Sequence, residues 1–172
     1  MSFEEDLKFS EECDLKLSKF WKQKSFEGRF VFTRSLFLQK IHGIDVILQG
    51  KDNTTELKID TKHVRSIYTN LFLEEMSCTI QGHEKLGWIL KEDGHPDFIA
   101  YCMWFNNDNS CYIYMIPFTP LRDWFIQNKE KYRLFINNTV NKTSGRIVPL
   151  EDIKLFVGYD KYILNLSNTY EY

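Results

Sequence analysis

The chain has 172 residues, of which 43% are hydrophobic and 27% charged, with a net charge of −2. This composition suits one globular domain with a real core, and it excludes a coat protein that grips nucleic acid through bulk positive charge. Aromatic residues reach 16%, too many to lie exposed on a domain of this size, so most are expected in the core.

Residues 2 to about 24 read as a helix, with Leu7, Cys13, Leu17, Phe20 and Trp21 at roughly helical spacing. Ser25 to Gly28 breaks it, Arg29 to Thr33 suggests a short strand, and Ser35 to His42 is strand or turn. Residues 44–49 and 56–64 are strands, and the Lys51-Asp-Asn-Thr-Thr55 turn between them makes a hairpin. Leu71 to Met76 is the next strand, followed by a Gly-, His- and charge-rich loop holding Gly87-Trp88. Phe98–Phe105 and Cys111–Phe118 are strands around an Asn-rich turn. Thr119 is expected to cap a helix that has Pro120 at its first position and runs to about Lys131. Gly145–Val148 is a last strand, Pro149 opens a short helix, and the tyrosine-rich tail from Gly158 shows little pattern. The expected fold is mixed α/β over residues 1–172: a single domain with a central, mostly antiparallel sheet flanked by helices.

The N-terminus is acidic and lacks an apolar secretion core, and no apolar run reaches membrane-spanning length. A cytoplasmic protein with no membrane partner is therefore expected. Cys13, Cys78, Cys102 and Cys111 form no C-x-x-C pair and have no zinc-site spacing with the histidines, so buried free thiols are expected. Phosphate-loop, dinucleotide and zinc-protease motifs are absent, as is a serine nucleophile elbow.

The chemistry-bearing stretch is the hairpin. Along the second strand Glu56, Lys58, Asp60 and Lys62 share one face. On the first strand Asp45 sits among Ile44, Val46, Ile47 and Leu48, where a carboxylate is costly unless it is paired or binds a cation. Two carboxylates on neighbouring strands can converge on Mg²⁺, which takes hard oxygen ligands and keeps several waters. Asp45 and Asp60 would then bind metal with the Thr61 carbonyl, and Lys62 would serve the attacking water or the phosphate. The acid-x-Lys triplet alone says little, since it also begins at Asp6, Asp14, Glu56 and Asp152. Its position after a hairpin from an acid-bearing strand singles out Asp60. The competing reading is a charged edge strand that resists aggregation.

Asp45 followed by Asp60-Thr-Lys62 resembles the PD-(D/E)xK nuclease superfamily, with Ile44 where that motif has proline. The similarity extends through Gln39-x-x-x-Gly43-Ile-Asp45, Tyr68-x-Asn70-Leu-Phe-Leu-Glu-Glu75 and Gly87-Trp88, a pattern like that of small nuclease-like proteins of phage and bacterial genomes. The resemblance implies a restriction-endonuclease-like core and a Mg²⁺- or Mn²⁺-dependent DNA endonuclease acting in the cytoplasm, including a host cytoplasm if phage-encoded. It also implies a metal-binding acid on the first helix, for which Glu11, Glu12 and Asp14 are candidates. Glu75 or Glu74 would support the site. Cutting both strands of a duplex would suit a homodimer. Gln39 could touch the site, Trp88 could stack on a base, and Lys40, Arg65, Lys85 and Lys91 could form a phosphate rim. His63 should face away from Lys62, and His83 and His95 lack partners at ligand spacing. The alternatives are a catalytically inactive nucleic-acid- or protein-binding module of the same fold, or an unrelated interaction module.

Overall fold

The structure, a computed structural model, describes residues 3–24, 30–33, 44–105, 109–137 and 142–165. In chain order its elements are α1 (Phe3–Lys24), β1 (Phe30–Thr33), β2 (Val46–Gly50), β3 (Glu56–Val64), β4 (Asn70–Cys78), β5 (Lys85–Leu86), β6 (Phe98–Trp104) and β7 (Ser110–Pro117). There follow α2 (Phe118–Asn128), a 3-10 turn (Lys129–Lys131), β8 (Leu134–Ile136), β9 (Ser144–Pro149), α3 (Leu150–Phe156) and β10 (Asp160–Asn165). The mixed α/β class is as expected. The chain alternates between two compact units: Met1–Ile67, Pro96–Met115 and Asp160–Tyr172 make the first, Tyr68–His95 and Ile116–Tyr159 the second. Among the described residues no helix is long and apolar enough to cross a membrane.

The first unit holds a six-stranded sheet in the order β1-β2-β3-β6-β7-β10. β1, β2 and β3 form an antiparallel run, β3 pairs with β6 in parallel, and β7 pairs with β10 antiparallel. α1 covers one face of this sheet. Phe9, Cys13, Leu17, Phe20 and Trp21 recur every three or four residues and cluster with Val46, Leu48, Ile59, Ala100, Cys102, Trp104, Cys111 and Ile113. Strand alternation sends these strand residues to the helix side, and each such apolar side chain contributes about 1.5–3 kcal/mol when fully buried. Leu7, expected on the apolar stripe, is 49% exposed, and Phe9 takes the inward place. All four cysteines are buried and free, as anticipated.

The second unit holds a four-stranded sheet in the order β5-β4-β9-β8. Leu71 and Leu73 of β4, Val148 of β9, Phe118, Leu121 and Phe125 of α2, and Leu150 and Ile153 of α3 are among its buried apolar residues. Thr119 does not cap α2. β7 runs to Pro117, whose extended backbone (ψ 124°) precedes the helix, and no side chain caps it. Pro120 lies inside the first turn, where its missing N–H leaves no bond unmade. α2 ends at Asn128, and the chain tightens into the 3-10 turn rather than staying α-helical to Lys131. Gly158 ends α3 at φ +83°, its N–H donating to the Ile153 carbonyl at 2.9 Å, the left-handed stop that glycine allows.

β5, which falls in the segment read as a loop, and β8 and β10 do not show in the sequence. β10 is an edge strand with only Leu164 fully buried, so its alternation is weak. The expected break at 25–28 and the ambiguous segment at 35–42 lie outside the described residues, as do Gln39 and Lys40.

Two glycines let backbones approach at β4. A Cβ on Gly87 would lie 2.1 Å from the Glu74 carbonyl oxygen, and one on Gly145 would lie 2.3 Å from the Leu73 carbonyl oxygen. Backbone atoms of a central strand cannot step aside cheaply. Gly87→Ala and Gly145→Ala should each destabilise the second unit by about 2–3 kcal/mol, read as a lower urea midpoint; an unchanged midpoint would contradict this packing.

Candidate functional site

β2 and β3 deliver the two expected carboxylates to one place. Their register pairs Val46 with Ile59, yet the Asp45 N–H also donates to the Ile59 carbonyl at 3.0 Å. Two residues facing one partner is bulge-like geometry, which re-aims a side chain at a strand end. Asp45 swings its carboxylate toward β3, where Oδ2 accepts the Thr61 N–H and contacts Thr61 Oγ1, both at 2.8 Å. In an extended strand the N–H and C=O of one residue point the same way, so the Thr61 carbonyl faces the same edge as Asp45.

Asp60 directly precedes Thr61, whose N–H the Asp45 carboxylate accepts, and the charge of Asp45 acts on the Asp60 carboxyl. Lys62 stands two residues along, and its Nζ lies 2.8 Å from each Asp60 oxygen. Desolvation pushes the Asp60 carboxyl up to about 7; the Lys62 charge opposes the rise and the charge of Asp45 adds to it. The Asp60 side chain is 8% exposed and that of Lys62 27%, so the ammonium is the wetter end of the pair.

α1 contributes Asp14. Its Oδ1 lies 3.1 Å from Thr61 Oγ1 and 2.9 Å from His63 Nε2. Trp104 Nε1–H donates to His63 Nδ1 at 3.2 Å. Since indole only donates, Nδ1 must accept, and the Nε2–H of His63 donates a hydrogen bond to Asp14. Asp14, Thr61 and Asp45 thus form a continuous polar chain from the helix to the acidic pair. Of the three first-helix acids, Asp14 is the one brought to this network; Glu11 and Glu12 are exposed. His63 faces Asp14 rather than Lys62, as strand alternation requires.

Glu75 belongs to the second unit, and its carboxylate is held by Lys129 Nζ and Arg146 Nε, both at 2.6 Å. A register shift in β4 between Glu74 and Met76 marks the spot, and Glu75 is the buried member of the Glu74–Glu75 pair. The arginine and lysine partners lie more than 50 residues away in sequence, which is why the pairing was not visible there. The proposed rim does not form at Arg65, whose guanidinium stacks 3.9 Å from the Phe9 ring and bonds Asp6 and the Glu5 carbonyl. His95 bonds the Lys91 carbonyl and leans on Phe118, and Trp88 is half-buried.

Among the described residues no three His, Cys, Asp or Glu side chains gather into a metal cage. The donor set at the hairpin is two adjoining carboxylates and a backbone carbonyl. That set suits Mg²⁺, which is held by one or two carboxylates and completes its shell with water, and it does not suit Zn²⁺, which wants nitrogen or sulfur. Comparison of the chain with protein families, with curated proteins and with solved structures found no match.

Proposed function

We propose that this protein is a metal-dependent deoxyribonuclease with a PD-(D/E)xK-type site. The reading rests on one observation: Asp45 and Asp60 adjoin across two neighbouring strands, and Lys62 shares the face of Asp60. Asp45, Asp60 and the Thr61 carbonyl would hold Mg²⁺ or Mn²⁺. Bound there, the ion would acidify a water and offset charge on the phosphate. The protein's own contribution is positional. Asp45 is fixed by the Thr61 N–H, and the Thr61 hydroxyl lies between Asp45 and Asp14 of α1 with one hydrogen to give to either. Asp60, raised to about 7 by desolvation, holds a proton readily near neutral pH and would be ionised as a ligand of the cation. Lys62, the most exposed member, can turn from Asp60 toward a phosphate oxygen or the attacking water and stabilise developing negative charge.

A binding module of the same fold without chemistry is favoured by one observation, that the expected supporting acid Glu75 is already neutralised by Lys129 and Arg146. Circular and linear DNA incubated with the protein in Mg²⁺, Mn²⁺ or EDTA separates the two. Cleavage should require the metal and fall by at least about 100-fold in Asp60→Ala and in Lys62→Ala. Binding of DNA without cleavage, or cleavage that survives both substitutions, removes the catalytic assignment.

A further inference from the structure

The four-stranded sheet of the second unit ends in β8, and the outer edge of this strand is complementary to itself. In the β8–β9 ladder the Asn137 N–H donates to the Thr143 carbonyl at 2.8 Å, and the Ile147 N–H donates to the Arg133 carbonyl at 3.2 Å. Residues 133, 135 and 137 therefore turn their backbone groups toward β9, and the alternation sends those of Leu134 and Ile136 outward. The side chains of the strand are also open: Leu134 is 46%, Phe135 44% and Ile136 53% exposed. Edge strands are usually protected by charge. β5 carries Lys85 and β10 carries Asp160 and Lys161, whereas Leu134-Phe-Ile136, like the β1 edge of the other sheet, has no charge.

We propose that β8 pairs antiparallel with β8 of a second copy of this chain about a two-fold axis, joining the two four-stranded sheets edge to edge. In the register centred on Phe135, Leu134 faces the partner's Ile136, and each exchanges its outward N–H and C=O. Arg133 then faces the partner's Asn137, so no like charges oppose. Phe135 falls at the axis in a non-hydrogen-bonded pair, where side chains stand closest. There it meets the partner's Phe135, and cross-strand aromatic pairs stabilise sheets. The Phe72 ring already meets Phe135 edge-on at 6.1 Å. It reaches across because Gly145 has no side chain: a Cβ there would lie 2.8 Å from the Phe72 ring. The pairing would extend this aromatic row through the axis. A second copy fits better than an unlike strand because a single sequence supplies both halves of the hydrogen-bonding and charge pattern. Such an isologous contact closes on itself. The proposal is independent of the nuclease reading.

Sedimentation of the full chain over a wide concentration range tests it. The native chain should be a dimer. Ile136→Pro removes an outward N–H and leaves the β9 ladder whole, and Phe135→Lys sets two ammonium groups together at the axis; each should weaken association at least about tenfold with unchanged circular dichroism. Phe135→Cys gives a second readout that does not depend on those variants folding, since a non-hydrogen-bonded pair brings its Cα atoms within disulfide reach. It should form an interchain disulfide under mild oxidation, while Ile163→Cys on the β10 edge, 67% exposed, should not. A native chain that stays monomeric at its highest soluble concentration would overturn the proposal. So would a dimer indifferent to both substitutions, or equal cross-linking at both edges.

Discussion

Asp60→Asn is expected to melt higher than the native chain at pH 8 and at about the same temperature at pH 4. The carboxyl of Asp60 is pushed up to about 7 from an ordinary 3.8, chiefly by desolvation, against the pull of Lys62. A carboxyl raised on folding is protonated in both states below its unfolded value and carries no penalty there. As pH rises through the interval between about 4 and 7, the unfolded chain ionises first and folding loses stability; above about 7 the loss is complete. A shift of that size corresponds to roughly 4 kcal/mol. The asparagine also leaves Lys62 without its carboxylate, but this ammonium is partly exposed and can turn to water, so a net gain of about 2–4 kcal/mol is expected at pH 8. If Asp60→Asn melted lower at pH 8, the Asp60–Lys62 pair would be a net structural stabiliser and the burden assigned to the buried carboxylate would be absent.

The same titration separates a cation site from a strained ion pair. Mg²⁺ added at pH 8 should raise the melting temperature of the native chain, because a ligand that binds only the folded state stabilises it by mass action, and should leave Asp60→Asn nearly unmoved. Keeping an ionised pair of carboxylates in a buried place is unfavourable for the fold and useful for binding a cation. A stability gain on removing Asp60 and a cation effect that needs Asp60 would be two sides of one arrangement.

The hairpin was legible because its signals are local. Ile44–Leu48 is an apolar run broken by an acid that advertises its own cost, Lys51–Thr55 has turn composition, and Glu56–Val64 alternates. The first helix was legible for the same reason, apart from the slip between Leu7 and Phe9. Four features depend on partners distant in sequence. The parallel pairing of β3 with β6 and the return of β10 beside β7 are set by long-range contacts, and they divide the chain into two interleaved units with no linker to announce them. The choice of Asp14 among three helix acids depends on the rotation of α1 over Thr61 and His63, a matter of a fraction of a turn. The assignment of Glu75 depended on partners 54 and 71 residues away, and alternation along β4 could say that one of Glu74 and Glu75 points inward but not what would meet it.

Glu75 supplies the other large effect, with the opposite dependence on pH. Its burial alone would raise the carboxyl, yet the hydrogen bonds from Lys129 and Arg146 outweigh desolvation and hold it below its ordinary 4.5. A carboxyl lowered on folding contributes stability above its unfolded value and loses it as pH falls through the folded one, so this ion pair weakens only in acid. Arg146 cannot shed its charge; its side chain is 12% exposed and also reaches Glu130 and the Tyr132 carbonyl. Removing Glu75 leaves that guanidinium buried without its principal partner. Glu75→Ala should therefore destabilise the second unit by about 3–5 kcal/mol at neutral pH, measured by urea denaturation. Glu75→Leu combined with Arg146→Met should recover much of the loss, because replacing both members of a buried pair by apolar groups removes the stranded charge. A carboxylate that served a metal would behave otherwise: its substitution would spare the fold and abolish cleavage. If Glu75→Ala unfolds at the native urea concentration, the ion pair is not what holds β4, the 3-10 turn and β9 together, and Glu75 returns to the list of groups free to serve the site.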